Sequence, residues 1–121
     1  MIGVGVDVVD IERFRRSLDR TPSMRERLFT ARELASLASR SDPVPGLAAR
    51  FAAREAVMKS LGLGLGAFGF HEVWVERAPS GAPSLMVEGR ALDLAVAAGV
   101  TRWHLSLSHG DTVAIAHVVA E

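Results

Sequence analysis

Apolar and polar positions alternate at the start of the chain. Ile2, Val4, Val6 and Val8 point one way and Gly3, Gly5, Asp7 and Val9 the other, which predicts a strand over residues 2–9. The period then becomes helical: Ile11, Phe14 and Leu18 recur behind Asp10, a capping residue, with Glu12 in the favourable first turn. Thr21-Pro22 starts a short helical segment through about Leu28, with Thr21 placed to cap it. Thr30-Ala31-Arg32-Glu33 is a capping box opening a helix with Leu34, Leu37 and Ala38 inside. Ser39 to Gly46 reads as a loop by its turn chemistry.

The stretch from Arg50 to Leu61 predicts the central helix, a Pro-free run of good helix formers ending at Gly62, which suits a left-handed cap. Leu47, Ala48, Phe51, Ala52 and Met58 share one side of it, and Glu55 and Lys59 fall among them. A neighbouring side of Ala49, Ala52, Ala53, Ala56 and Ser60 lets another element approach the backbone closely. After a glycine-rich run, Phe70–Arg77 and Pro83–Glu88 predict a hairpin about Pro79-Ser80-Gly81. Arg90–Ala98 predicts a helix ended by Gly99, and Arg102–His109 a strand. Gly110-Asp111 signals a two-residue hairpin into a returning strand, Thr112–Val119. That strand is apolar on both faces and so central, with His117 a satisfied core histidine. The order of elements predicts an α+β fold: a single domain over residues 1–121, with a long central helix packed on a mainly antiparallel sheet.

Composition narrows the classes. At 121 residues the chain can bury a core but is short on area for an enclosed active site, so a cleft shared between subunits is expected. Formal net charge is zero, which gives no general case for a nucleic-acid or membrane partner. Cysteine is absent, excluding disulfides, thiolate catalysis and Cys-ligated zinc. The first residues lack a basic n-region and meet Asp7, unlike a signal peptide, and no apolar run approaches the roughly 18 residues of a membrane span. A cytoplasmic protein is expected.

Glu55 and Lys59 are the oddity, because a charge on an apolar face needs a partner or a ligand. One explanation is an i,i+4 ion pair. The other draws in Asp7, which sits on a strand face cleared by two glycines. Carboxylates from Asp7 and Glu55 suit Mg²⁺, which takes one or two carboxylates, waters and substrate phosphate oxygens. Lys59 would neutralise a phosphate, Arg50 would reach a second anionic group, and His109 at a strand end would contact phosphate or move a proton. That set fits phosphoryl transfer. Gly64, Gly66 and Gly69 match G-x-G-x-x-G, but after a helix and before a strand, the reverse of the dinucleotide-binding context. Arg13, Arg16 and Arg20 form a cationic stripe, either a solvated face or a dock for an acidic partner.

Three ordered segments carry a resemblance: Gly5-Val6-Asp7-Val8-Val9 with Arg13, Arg50-Phe51-Ala52-Ala53-Arg54-Glu55-Ala56-Val57-Met58-Lys59, and Leu105-Ser106-Leu107-Ser108-His109. Together, over essentially the whole chain, they resemble the bacterial holo-[acyl-carrier-protein] synthases, small 4'-phosphopantetheinyl transferases. The resemblance implies a homotrimeric enzyme with active sites between subunits. It would move the phosphopantetheine arm of coenzyme A to a serine of acidic apo acyl carrier protein, in fatty acid or polyketide synthesis, and release 3',5'-ADP. It implies Asp7 and Glu55 as Mg²⁺ ligands, Lys59, Glu55 and His109 as catalytic residues, and Arg50, Phe51, Lys59, Gly62, Ser108 and His109 at the coenzyme A site. Arg13 would dock the carrier, with Arg16 and Arg20 on the same stripe. Arg54 stands where many members carry Lys, and Asp111 is either a base acting through water or a turn residue. The rival reading is a non-catalytic oligomeric module that binds a carrier or a nucleotide.

Overall fold

The first strand, β1 (Gly3–Asp10), runs directly into α1 (Ile11–Arg20), because Asp10 accepts the Arg13 N–H at 2.9 Å and caps the helix. Then come α2 (Met24–Leu28), α3 (Ala31–Leu37), α4 (Val44–Ser60), a single 3₁₀ turn (Phe70–Glu72), β2 (Val73–Arg77), β3 (Pro83–Val87), α5 (Gly89–Ala97), β4 (Trp103–His109) and β5 (Val113–Ala120). These assignments come from a computed structural model that describes residues 1–121. The strands form two antiparallel sheets, β1-β5-β4 and β2-β3. No helix is long and apolar enough to cross a membrane.

Helix α4 is buried nearly all round, so it carries core residues on several sides. Its first half packs with Ile11, Phe14, Leu18, Phe29 and Leu37 of the helical layer. Its second half packs with Val73, Val75, Ala116 and Val118 of the two sheets. The α3 capping box forms as the sequence predicts, with Thr30 Oγ1 accepting from Glu33 N and Glu33 Oε1 accepting from Thr30 N.

Several expectations need correction. Helix α4 starts at Val44, inside the predicted loop, because Asp42 accepts the Val44 N–H at 3.1 Å and Pro45 tolerates the first turn. Helix α2 starts at Met24 without a side-chain cap from Thr21, whose carbonyl accepts the Met24 N–H instead. Strand β2 begins three residues late, since Phe70–Glu72 coil into the 3₁₀ turn. The last hairpin is closed by Gly110 N donating to Val113 O, one step beyond His109 opposite Ala114, so its turn holds two residues as expected, but they are Asp111 and Thr112 rather than Gly110 and Asp111.

Strand β5 is central, but only one of its faces is covered. Ala114, Ala116 and Val118 are buried against α4 and Ala120 against Ala95 of α5, while Ile115 and His117 lie on the outer face with Val4, Val6 and Val8 of β1. His117 is therefore an exposed residue rather than a core one.

Candidate active site

The site starts from two glycines. A Cβ at Gly3 would stand 1.8 Å from Ser60 O, and one at Gly5 would stand 1.9 Å from Ala56 O. Strand β1 thus lies backbone to backbone on α4, the close approach that the small-residue side of the helix allows. The next inward position on β1 is Asp7, which this contact sets beside Glu55 and Lys59.

Lys59 Nζ donates to Asp7 Oδ1 and to Val6 O, both at 3.0 Å. The lysine side chain is 55% exposed and that of Asp7 16%. The ion pair thus joins Lys59 to Asp7, and no i,i+4 pair links it to Glu55. Lys59 stands at the open edge of α4 rather than on its covered side. Glu55 is half-buried, and its carboxyl is pushed above the ordinary glutamate range, first by loss of water, then by the charge of Asp7, with Lys59 opposing. Asp7 and Glu55 line one cleft of about 250 Å³, whose wall includes Arg13, Phe14 and Phe51. The Phe14 and Phe51 rings lie 5.3 Å apart and form its apolar floor.

Two carboxylates facing one cleft, with no cluster of three or more metal-ligating side chains, fit Mg²⁺ completed by water and a substrate phosphate. A structural zinc or calcium cage would need more protein ligands.

The other anticipated residues fall elsewhere. Arg50 is 1% exposed; its Nη1 donates to Gly46 O at 3.2 Å, and its Nε has no partner. Burial, with Arg77 adding repulsion, pushes Arg50 down to about 10. His109 is exposed at the end of β4, opposite Ala114, which is itself opposite Val9. That places His109 two strand spacings from β1, about 10 Å. Ser108 faces the outer side of the sheet, and Asp111 lies in the exposed hairpin loop. Gly62 follows α4 with φ 69°. Arg13, Arg16 and Arg20 are exposed and join no ion pair; Arg13 reaches the cleft.

Sequence reasoning missed a buried pair beside the site. Arg54 and Glu33 have fully buried side chains. Arg54 donates to Glu33, to Phe70 O at 2.8 Å and to Arg50 O at 3.2 Å, while Glu33 also accepts the Val75 N–H at 3.0 Å. The pair ties α3, α4, the 3₁₀ turn and β2 together one residue from Glu55. Its only sequence signal was Arg54 on a helix rich in alanine, since the capping box already accounted for Glu33.

Known proteins agree with this architecture. A family model described as the 4'-phosphopantetheinyl transferase superfamily matches residues 3–117, and the chain belongs to that class. Within it, the likeness is to the holo-[acyl-carrier-protein] synthases. The chain is 51% identical over 122 residues to the one from Streptomyces avermitilis, covering 100% of this chain and 98% of that one. It is 48% identical, with the same coverage, to the one from Beutenbergia cavernae. A crystal structure of the Neisseria meningitidis protein superposes with a TM-score of 0.90 at 31% identity, covering 100% and 98% of the two chains. The Helicobacter pylori protein in complex with coenzyme A superposes with a TM-score of 0.82 at 27% identity, over 98% and 99%.

Proposed function

We propose that the chain is one catalytic domain that transfers the 4'-phosphopantetheine arm of coenzyme A to a serine of apo acyl carrier protein. The serine oxygen forms a bond to the β-phosphorus, the diphosphate bond to the α-phosphate breaks, 3',5'-ADP leaves, and the serine proton passes to water or a nearby base. The observation that carries this reading is that Asp7 and Glu55 line one open cleft, with Lys59 paired to Asp7 beside it, in a chain of this family. Bound Mg²⁺ would supply charge neutralisation at the diphosphate, with Asp7 and Glu55 holding it. Lys59, already placed on Asp7, turns its ammonium to the phosphate as charge builds on the leaving oxygen. Phe51 gives the cleft an apolar wall beside the reacting groups.

Ser108 and His109 are exposed away from their own chain's cleft, so a nucleotide or phosphate contact from them fits a homotrimer with sites between subunits, whereas Arg50, buried in its own chain, would gain no access from a neighbour. The outer sheet face, with Val4, Val6 and Val8 each about half exposed, is suited to such a neighbour. The exposed arginines of α1 suit an acidic carrier, and a cytoplasmic setting matches a chain without cysteine.

The test mixes the protein with coenzyme A, Mg²⁺ and apo acyl carrier protein. The carrier gains about 340 Da, the mass of the arm, and 3',5'-ADP appears. Chelating the metal stops the gain and Mg²⁺ restores it. Binding of carrier or nucleotide with no mass gain would instead support the non-catalytic module.

A further inference from the structure

Residues 62–69 leave α4 as a glycine-rich stretch fastened at both ends. At the near end Leu63 N donates to Met58 O at 2.8 Å. At the far end Phe68 is buried and two charged side chains hold the backbone: Glu72 Oε2 accepts the Gly69 N–H at 2.6 Å, and Arg90 Nε donates to Ala67 O at 2.9 Å. Between these anchors Leu65 is 70% exposed, and Gly62, Gly64 and Gly66 have open space where a Cβ would go. The stretch begins three residues after Lys59.

Glu72 does more than hold Gly69. Its Oε1 accepts the Ala91 N–H at 3.0 Å in the first turn of α5, where the cap residue Glu88 makes no side-chain bond. A carboxylate from elsewhere in the chain therefore caps this helix. Glycines make room for it on both sides: a Cβ at Gly69 would lie 2.9 Å from Oε2, and one at Gly89, where φ is 61°, would lie 2.6 Å from Oε1. The Gly69 N–H, and after it those of Ala91 and Arg90, hold the carboxyl below the ordinary glutamate range despite some loss of water. One anionic group with two acceptor oxygens thus serves two separate elements. A glutamine has a single acceptor oxygen and could serve only one of them.

We propose that Glu72 is a positioning residue for coenzyme A: its bridge from Gly69 to the first turn of α5, braced by Arg90, sets the path of residues 62–69 so that the N–H groups of Gly64, Leu65 and Gly66, between the anchors, meet the coenzyme A held at Asp7, Glu55 and Lys59. Exposed N–H groups in such turns donate to phosphate oxygens effectively only when their directions are fixed. This rests on the reading under Proposed function.

The test compares Glu72→Gln and Arg90→Gln with the unchanged protein in steady-state transfer and in amide hydrogen exchange. Both variants raise KM for coenzyme A by about fivefold or more, equivalent to about 1 kcal/mol of lost ordering. Their kcat and KM for carrier protein stay within about twofold, and exchange quickens across residues 62–69 while α4 keeps its protection. Unchanged KM and exchange in both variants overturns the proposal. A parallel loss in kcat and both KM values, with a lower melting temperature, reduces Glu72 to support of the fold and overturns it too. If Glu72→Gln does not fold, Arg90→Gln decides alone. If the unchanged protein neither binds coenzyme A nor transfers the arm, the function fails and the coenzyme A assignment with it, while the exchange data still report whether the clamp orders the stretch.

Discussion

Glu55 is held at a charge state that the fold alone opposes. Its folded pKa lies above the ordinary 4.5, so the folded chain takes up a proton in that window. The stabilising contribution is fully present below the ordinary value and is lost as pH rises through the raised one. Glu55→Gln, neutral at every pH, should therefore melt higher than the unchanged protein at pH 7, with the gain vanishing in acid, while Mg²⁺-dependent transfer is lost. A lower melting temperature at pH 7, or retention of most of the rate, overturns the assignment. Glu33 is the opposite case. Glu33→Ala leaves the Arg54 guanidinium buried and unpaired, and chemical denaturation should show a loss of about 3–5 kcal/mol. Asp7, Glu55 and Lys59 were legible because a charge on an apolar face has to be explained. Glu33 and Arg54 were not: a capping box accounts for a glutamate without revealing that its outer oxygen meets an arginine far along the chain.

At the scale of elements, the contact of β1 with α4 was visible in advance as two glycines on one strand face and small residues on one helix side. Gly5→Ala forces a methyl group into the space of the Ala56 carbonyl. Equilibrium unfolding should show a cost of about 3 kcal/mol or more, with Mg²⁺ dependence of transfer weakened as Asp7 shifts; a change under about 0.5 kcal/mol would mean that the strand moves aside freely. The ends of elements were read less well. Helix α4 gained Val44, Pro45 and Gly46 from the predicted loop because a single aspartate side chain satisfies its first N–H, which turn composition does not reveal. His117 was misplaced because alternation along a strand does not tell which face will be covered.

On the scale of the whole molecule, the charge on α1 and the bare outer face of the sheet point in different directions. Arg16→Glu, on the exposed side of α1, should raise KM for carrier protein about tenfold at low salt with little change for coenzyme A, since charge at a docking rim acts mainly on encounter. Equal effects on both substrates would remove α1 from the docking face. Val6→Lys, at the centre of the open face beside His117, should leave a monomer in sedimentation and abolish transfer together. A monomer with full activity would show that one chain holds the complete site.

The closeness of β1 to α4 also decides what can vary without harm. Side chains in a packed core can be exchanged and will shift one another by fractions of an ångström. The spacing between Asp7 and Glu55 does not depend on such exchanges, because it is gauged by a glycine Cα resting against a carbonyl oxygen, a ruler made only of main chain. Sequence drift through the rest of the interior can therefore retune how tightly the protein holds together while the distance between the two acids stays as it was.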